Sequence, residues 1–552
     1  MLALALALAL AVLGAAAEGA AGPPPNLVLF FVDDMAYGDL GVTGAPTTLT
    51  PNIDRLAVGG RRLSGWYSGG AICSPSRASM VTGRHYVRTG VYPGAWPCNS
   101  PNGMSLDEVT LGEAVGGAGY KTAFVGKWHL GQLPQFLPTN RGFDRYFGVP
   151  YSIDMGSTAN ATFRAPQWCP YIPLLRDLEV VEQPVNIETV TERYVDEAVE
   201  FIEEAHGEGK PFLLVLANSH VHVTIPGAGK QYSGEKFRGS SRRGAFGDAV
   251  AETDWSVGEV MRKLDELALT NNTLVMFTSD NGPWMQQRTF RGSEGPFRGM
   301  WGVLNGGYDD TGKGSTWEGG YRVPAFASWP GVIPPMSVSQ QPLSTLDIFP
   351  TFAKLAGAEV AHEVDGHDIF KVLTGGDAAQ PNVWRSLPLW RQRDPIDIAA
   401  LRMGKYKFHF NTQSGFGFDP VVYHDPPLVF DVEEDPGEQW PLDPEADAVK
   451  PLVHRAWREF LRLNATIVRH EPLQVGGDRK YAVCQRERLE DCFPPVPASA
   501  EECRAGDHEC HTADWGFTSN LHERGAGAYG PGDAGVFSTT AARRPEATAG
   551  AR

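Results

Sequence analysis

The chain of 552 residues has too little positive charge for a nucleic-acid-binding protein, no internal repeat, and no long apolar run beyond its N-terminus. Lysine and arginine number 48 against 65 aspartates and glutamates, so the net charge is −17, and the basic surface that nucleic acids require is missing. The shares of hydrophobic (42%) and charged (20%) residues exclude a mostly disordered chain. The 63 glycines and 42 prolines nevertheless predict many loops.

The apolar N-terminus predicts a secretory signal peptide. Residues Met1–Ala17 are apolar or glycine, and small residues continue to Gly22 before a run of prolines. A signal anchor is the alternative, but the run is just short of the roughly 20 residues that span a bilayer. After cleavage, the chain is not expected to be an integral membrane protein. Three N-glycosylation sequons agree with the secretory route: Asn160, Asn271 and Asn464.

Cysteine is scarce, and its count is odd. In a secreted protein, an odd number leaves one cysteine without an internal partner. The seven are Cys73, Cys98, Cys169, Cys484, Cys492, Cys503 and Cys510.

Hydrophobic patterning predicts an α/β core. Continuous apolar runs indicate strands buried on both faces, as in a parallel sheet. Helical spacing between them, in Thr191–Ala205 and Phe246–Leu267, predicts helices on both faces of that sheet. The apolar runs are Leu27–Val32, Thr122–Val125, Phe212–Ala217 and Leu274–Thr278.

The pattern changes after about residue 385. Lys405–Phe410 alternates polar and apolar residues, as in a half-exposed antiparallel strand, and Leu428–Val432 is a second candidate strand. Asp443-Pro444 is predicted to begin a helix. The predicted organisation is a signal peptide at 1–22, a large N-terminal domain at 23–385, a small α+β domain at 386–480, a cysteine-containing tail at 481–520 and a disordered end at 521–552.

Polar side chains follow each of the four apolar runs. Ligands of open α/β sheets bind beyond the carboxyl ends of the strands, so these side chains form one site if the strands are parallel neighbours. Taken singly, each group is better explained as a turn. The side chains are Asp33, Asp34, Lys127, His129, His220, His222, Asp280 and Asn281.

Asp33, Asp34, Asp280 and Asn281 offer only oxygen ligands, which favours Ca²⁺ or Mg²⁺ over zinc. Three neighbouring carboxylates would repel one another without a cation. The lysine and histidines could supply positive charge and proton transfer for an anionic substrate.

Ser74-Pro75 predicts a helix start that places Cys73 at a helix N-terminus, where an anion is favoured, with Arg77 one turn on. By chemistry alone, Cys73 is equally compatible with a buried free thiol or a disulfide partner.

The run Cys73-x-Pro75-Ser-Arg77, followed by Thr82-Gly83-Arg84, resembles the signature of the type I sulfatase family. Within the family, the chain is most similar to the arylsulfatase A and G branch. Three short runs resemble arylsulfatase G in particular: Pro150–Gly156, Val181–Asn186 and Asp280–Trp284. Further matches to the family are Asn26–Asp34, Gly126–Gly131, Lys313–Gly320 and Leu428–Glu438.

The resemblance implies an alkaline-phosphatase-like α/β sandwich, with a large, mostly parallel sheet and a smaller C-terminal domain. It also implies a sulfuric ester hydrolase whose Cys73 is oxidised to formylglycine by the formylglycine-generating enzyme. By the same resemblance, Asp33, Asp34, Asp280, Asn281 and the modified residue 73 bind one Ca²⁺.

The family's other roles fall on further positions. Arg77 and His129 would hold the formylglycine hydrate, and Lys127, Ser152, His222 and Lys313 would contact the sulfate or leaving group. His222 is preferred over His220 because it lies eleven residues after Pro211, as in arylsulfatase A. There a proline follows the histidine closely, whereas here Pro226 comes four residues later, so His220 is the alternative.

Removing Cys73 from the disulfide count leaves six cysteines. The four between 484 and 510 are predicted to pair among themselves, and Cys98 and Cys169 would pair if their loops meet.

The expected substrate is an aryl sulfate, a sulfated sugar or a sulfated glycolipid, and the expected location is the lysosome or the extracellular space. The sequence is compatible with an oligomer. Two other functions compete with the sulfatase: a phosphatase or phosphonate hydrolase of the same superfold, and an inactive protein that binds sulfated glycans.

Overall fold

The computed structural model describes residues 23–160, 169–224, 231–360, 362–375, 385–392, 397–417, 419–474 and 476–485. The predicted signal peptide at 1–22, nearly all of the predicted tail at 481–520 and the predicted end at 521–552 lie outside these residues. No helix among the described residues combines the length and the apolarity needed to cross a membrane.

The strands of the described chain form one large sheet and two smaller ones. The large sheet has ten strands in the order β11-β2-β10-β9-β1-β8-β4-β5-β6-β7. The strands are β1 (Asn26–Val32), β2 (Arg61–Leu63), β3 (Trp66–Tyr67), β4 (Lys121–Gly126), β5 (Arg145–Gly148), β6 (Leu174–Arg176), β7 (Glu179–Glu182), β8 (Phe212–Ala217), β9 (Thr273–Ser279), β10 (Ala325–Ser328), β11 (Ser337–Ser339), β12 (Leu343–Ser344), β13 (Ser386–Leu389), β14 (Ala400–Met403), β15 (Tyr406–Thr412) and β16 (Val422–Asp431).

The four strands predicted from apolar runs are β1, β4, β8 and β9, and they are parallel neighbours at the centre of the large sheet. Every residue of β1, β8 and β9 is buried. Because the strands are parallel, their carboxyl ends lie at the same edge of the sheet, and the polar residues that follow them meet there.

Helices cover both faces of the sheet, as the patterning predicts. Alternate side chains of β1 pack into different cores: Val28 and Phe30 face the core of α5 and α6, whereas Leu27 and Leu29 face the core of α2, α4 and α8. The helices are α1 (Pro51–Val58), α2 (Cys73–Thr82), α3 (Tyr86–Thr89), α4 (Leu111–Gly117), α5 (Ile187–Gly207), α6 (Ala245–Glu266), α7 (Glu318–Tyr321), α8 (Ile348–Ala356), α9 (Phe370–Leu373) and α10 (Lys450–Thr466).

A four-stranded antiparallel sheet, β13-β14-β15-β16, forms near the C-terminus, and α10 packs against it. The prediction that a helix begins at Asp443-Pro444 was wrong, since α10 begins at Lys450. Asp443 forms a turn instead: its carboxylate accepts a hydrogen bond from the Glu445 amide at 3.0 Å, and its carbonyl accepts one from Ala446 at 3.2 Å. The proline in the first turn of α10 is Pro451.

The described cysteines include both disulfide-bonded and free residues. Cys98 and Cys169 form a disulfide, while Cys73 is a buried free thiol. Cys484 is also disulfide-bonded. The other three cysteines of the predicted tail, Cys492, Cys503 and Cys510, lie outside the described residues.

A buried ion-pair network joins the antiparallel sheet to the large domain. Lys407 of β15 contacts Glu318 of α7 at 2.9 Å and Glu438 at 3.0 Å, and all three side chains are fully buried. Burial opposes ionisation of Glu318, but Lys407 and two nearby arginines lower its pKa to about 2. Arg322 also contacts Glu318 at 3.0 Å, and His409 Nε2 lies 2.7 Å from Glu438, but Lys407 is the cation that both carboxylates share.

We expect Lys407→Met to lower the free energy of unfolding by about 3–5 kcal/mol, because it leaves Glu318 and Glu438 buried without their shared cation. Lys405→Met is the matched control on the same chain segment. The Lys405 side chain is 43% exposed and pairs with Asp431 at 2.5 Å, so its loss should cost about 1 kcal/mol or less. Equal losses in denaturant titrations of the two variants would contradict the role given to Lys407.

Candidate active site

The ends of the four central strands bring the predicted polar residues into one buried cluster. Asp33 and Asp34 follow β1, Lys127 and His129 follow β4, His222 follows β8, and Asp280 and Asn281 follow β9. Each of these side chains is at most 6% exposed. Lys313 and Ser152, predicted from the family resemblance, join the cluster from two loops.

Cys73 is the first residue of α2, as predicted, and its thiol lies 3.6 Å from Asp33 Oδ1. All residues of α2 are buried, so the helix is held rigidly behind the site. Burial raises the pKa of the Cys73 thiol to about 12, against the opposing effect of Lys127 and Lys313. An unmodified Cys73 therefore remains a protonated thiol at neutral pH.

Arg77 anchors α2 to the strand ends. Its guanidinium donates to Asp280 Oδ2 at 2.8 and 3.2 Å, and to the Lys127 carbonyl at 2.7 Å. Burial disfavours the guanidinium charge, but Asp280 and Asp33 raise the pKa of Arg77. Arg77 is therefore a fixed cation one helical turn behind Cys73.

Two lysines neutralise the paired aspartates. Lys127 Nζ lies 2.5 Å from Asp33 Oδ2 and donates to Ser152 Oγ at 3.2 Å, and Lys313 Nζ lies 2.6 Å from Asp34 Oδ1. Burial opposes both ammonium charges, yet the adjacent carboxylates raise the pKa of each lysine. Burial likewise opposes ionisation of Asp33, but Lys127 and the other cations hold its pKa well below the usual value.

The cluster contains donors suited to a cation. One ligand atom from each of Asp33, Asp34, Cys73 and His222 lies within 4.8 Å of the other three. Asn281 donates to Asp34 Oδ1 at 2.7 Å, which leaves Asn281 Oδ1 buried without a hydrogen-bond partner among the described residues. A buried amide oxygen beside two carboxylates fits a hard cation.

Both carboxylate oxygens of Asp280, a predicted cation ligand, already accept hydrogen bonds. Its Oδ2 is occupied by Arg77, and its Oδ1 accepts a hydrogen bond from the Asp34 amide at 3.1 Å. Burial, with Asp33 nearby, raises the pKa of Asp280 to about 6. Asp280 therefore links α2 to the metal-loop backbone as well as facing the cluster.

His129 is held as a neutral imidazole. Its Nε2 lies 2.9 Å from the Trp96 carbonyl, so this nitrogen carries the proton, and Nδ1 is buried without a partner among the described residues. Burial, Lys127 and Arg77 hold the pKa of His129 well below the usual value. Nδ1 of His129 is therefore a free acceptor inside the site.

The structure separates the two histidines that follow β8. His222 Nε2 lies 3.4 Å from Asp34 Oδ2, inside the cluster. His220 points elsewhere: its Nε2 lies 3.0 Å from Glu252 of α6, and its ring stacks on Tyr232 at 4.1 Å. This geometry supports His222, and not the alternative His220, as the histidine of the site.

Trp284 is a further neighbour of the cluster. Its ring lies 5.6 Å from the His222 ring, and Lys313 Nζ lies 5.3 Å from its centroid. Trp284 is the last residue of the Asp280–Trp284 run on which the branch resemblance rests.

Comparisons with known proteins identify the family of the chain. The sulfatase family profile matches residues 25–358, and a second profile, the C-terminal region of aryl-sulfatase, matches residues 385–494. The chain belongs to the sulfatase family. It is therefore an enzyme of that family, and sulfate ester hydrolysis is its chemistry.

Curated relatives confirm the branch predicted from the sequence. This sulfatase is 39% identical to arylsulfatase A of Bos taurus, over 91% of its own length and 98% of that protein. It is 38% identical to arylsulfatase G of Rattus norvegicus, over 80% of its own length and 87% of that protein.

A solved relative confirms the predicted fold class. The PsFucS1 sulfatase from Pseudoalteromonas sp. superposes with a TM-score of 0.68 at 30% identity, covering 81% of this chain and 91% of that one. The alkaline-phosphatase-like sandwich, with its large mixed sheet and separate antiparallel sheet, is thus established.

We expect a divalent cation to stabilise this sulfatase by about 2.7 kcal/mol at a hundredfold excess over the dissociation constant, because the ligand cluster exists only in the folded chain. Thermal unfolding with EDTA, CaCl₂ or MgCl₂ measures the effect. Asn281→Leu should remove most of the cation-dependent gain. Glu252→Gln alters a buried carboxylate outside the cluster and should retain it. A cation response that survives in Asn281→Leu would contradict the assignment of Asn281.

Proposed function

We propose that this sulfatase cleaves the sulfate ester of an aryl sulfate, a sulfated sugar or a sulfated glycolipid through a formylglycine made from Cys73, with one Ca²⁺. The observation that carries the proposal is the position of Cys73: it is a buried residue at the N-terminus of α2, within a cluster of acidic ligands and fixed cations. The sequence around it, Cys73-x-Pro75-Ser-Arg77, resembles the motif that the formylglycine-generating enzyme modifies.

The state of the thiol supports a modified residue. A thiol with a pKa of about 12 is a poor nucleophile, since reactivity depends on the thiolate. A formylglycine hydrate at position 73 would supply one hydroxyl to attack sulfur and a second whose deprotonation expels sulfate. A serine or cysteine ester would have no such internal route to release the product.

Ca²⁺ fits the donor set of the cluster. Asp33, Asp34, Asp280 and Asn281 would hold it together with an oxygen at position 73, and hard oxygen donors favour Ca²⁺ or Mg²⁺ over zinc. The bound cation would supply positive charge that stabilises the sulfuryl oxygens.

The cations of the chain itself would share that task. Lys127 and Lys313 hold their ammonium groups beside Asp33 and Asp34, and Ser152 orients Lys127 through its 3.2 Å contact. Fixed charges in a water-excluded site stabilise the transition state without reorganisation. Arg77, fixed to Asp280, would hold the hydrate at position 73.

Two histidines would carry out opposite proton transfers. His129 is neutral with a free acceptor at Nδ1, which suits removal of a proton from the hydrate after sulfate has been transferred. His222 Nδ1 lies 2.8 Å from the Val223 carbonyl, so Nδ1 holds a proton and Nε2 faces the site. A proton on Nε2 would pass to the leaving oxygen, with Lys313 as the alternative donor.

The same proposal includes maturation in the secretory pathway and residence in the lysosome or outside the cell. The Cys98–Cys169 disulfide suits an oxidising lumen. Asn160 and Asn271 are exposed and Asn464 is partly exposed, so all three asparagines are accessible for glycosylation.

Protein made in a eukaryotic host should carry an aldehyde at residue 73, detected by mass spectrometry of the peptide that spans it. It should hydrolyse 4-nitrocatechol sulfate, and Cys73→Ala should lose activity by about a thousandfold or more. An intact thiol at residue 73 together with inactivity would refute the proposal. Faster turnover of an aryl phosphate than of the aryl sulfate would favour a phosphatase. An inactive protein that carries the aldehyde yet binds sulfated glycans would favour a binding protein.

His222→Ala should lower kcat by about 100-fold to 10,000-fold, because it removes the proposed proton donor, with little change in unfolding free energy. His220→Gln is the matched comparison. It removes the partner of Glu252, so we expect a loss of about 1–3 kcal/mol in stability with kcat retained by the folded protein. Steady-state kinetics measures kcat, and denaturant titration measures stability. A loss of kcat in His220→Gln but not in His222→Ala would assign the catalytic role to His220.

A further inference from the structure

A short rim segment, Met285–Phe290, continues directly from Trp284 at the edge of the site. Phe290 packs in an apolar cluster with Trp284, Val223 and Phe416. Because Trp284 contacts both His222 and Lys313, this rim borders the side of the site where the leaving group would lie.

Arginines from two distant parts of the chain meet on this rim. Arg243, just before α6, donates to the Thr289 carbonyl at 3.0 Å and to the Arg291 carbonyl at 2.9 Å. Arg291 Nη1 lies 2.9 Å from Met285 Sδ, and Arg288 belongs to the same segment. Arg242 precedes Arg243 in the turn that the Gly244 amide closes on the Ser241 carbonyl at 3.1 Å. We call Arg242, Arg243, Arg288 and Arg291 the arginine rim.

The arginine rim lies close to the catalytic cations. A Cβ added to Gly312, the residue before Lys313, would lie 2.7 Å from Met285 Cγ, so the Met285 side chain packs against the backbone that carries Lys313. Arg291 contacts Met285 on the same segment. An anion on the rim would therefore lie beside, and not within, the pocket that receives the scissile sulfate.

The arginine rim has no ion-pair partner within 4.0 Å among the described carboxylates. Neighbouring basic residues do: Arg238 pairs with Glu188, and Arg298 pairs with Glu294 at 3.7 Å.

Two buried carboxyls near the rim already accept hydrogen bonds from other groups. Asp39 accepts hydrogen bonds from the Ala36 and Ser293 amides, and Asp310 accepts one from Gln286. They influence Arg243 and Arg291 only through longer-range electrostatics. Arg242 and Arg288 are exposed, so their guanidinium groups face solvent.

The arginine rim concentrates positive charge that no described carboxylate pairs with directly, on a chain whose net charge of −17 would otherwise repel polyanions. A guanidinium binds sulfate or carboxylate through two parallel N–H donors. We propose that the arginine rim is a subsite for a second anionic group of the substrate, a sulfate or carboxylate on the sugar next to the one that is desulfated. The inference rests on the proposed function and selects a polyanionic glycan over a substrate with a single sulfate.

Competition kinetics test this subsite. A heparin tetrasaccharide should inhibit hydrolysis of 4-nitrocatechol sulfate by the mature enzyme, and Arg242→Ala/Arg288→Ala should raise its inhibition constant about tenfold. KM and kcat for the small aryl sulfate should stay within about twofold, because it cannot reach the rim. Added NaCl should weaken inhibition of the wild type more than inhibition of the double variant.

Arg262→Ala is the matched control, since Arg262 is an exposed arginine toward the opposite end of α6 and pairs with Glu259 at 2.7 Å. It should leave the tetrasaccharide inhibition constant unchanged. An unchanged inhibition constant in the double variant, or an equal change in Arg262→Ala, would overturn the subsite while aryl sulfate turnover still supported the proposed function. A wild-type enzyme that does not hydrolyse the aryl sulfate would instead refute the proposed function itself.

Discussion

The structure depends on the burial of three carboxylates at one edge of the central sheet. Asp33, Asp34 and Asp280 lie at the ends of parallel strands, where an isolated buried charge would cost several kcal/mol. Arg77, Lys127 and Lys313 compensate them, and each cation fixes a different element: helix α2, the end of β4 and the loop before α7. The ion pairs that compensate the buried carboxylates also place positive charge around Cys73. A sulfate ester bound there would need that charge.

The antiparallel sheet supports this arrangement from the other side. Gly314, next to Lys313, has φ of +89° and lies so close to the Gly415 carbonyl that an added Cβ would be 2.0 Å from it. The Gly314 amide donates to the Ala71 carbonyl at 2.7 Å, two residues before Cys73. The loop that carries Lys313 is thus clamped between the segment leading to Cys73 and the small domain, and the buried Lys407–Glu318 pair holds the next turn. The C-terminal domain therefore helps to position Lys313, although none of its described residues belongs to the buried cluster around Cys73.

The cysteines show how one residue type serves two purposes in the same chain. The Cys98–Cys169 disulfide joins two loops, and Cys98 lies two residues after Trp96, whose carbonyl binds His129. Cys73 is instead isolated from other cysteines on a buried helix, with its thiol facing carboxylates and cations. An odd cysteine count pointed to one exceptional residue, and its surroundings explain why that residue is unsuited to act as a thiol.

Local pattern was enough to predict the central strands, the helix start at Cys73 and the polar residues that follow each strand, because these features depend on neighbours in the chain. The prediction that a helix begins at Asp443 was wrong because the hydrogen bonds of that residue close a turn. Only the tertiary structure decided which side chains meet: Arg77 binds Asp280, 203 residues away, and His222 faces Asp34 while His220, two residues earlier, faces Glu252. The arginine rim joins residues 242–243 to 288–291, which sequence spacing does not relate. Such contacts follow from the order of strands in the sheet and from the balance of buried charge, and both arise only when distant segments pack together.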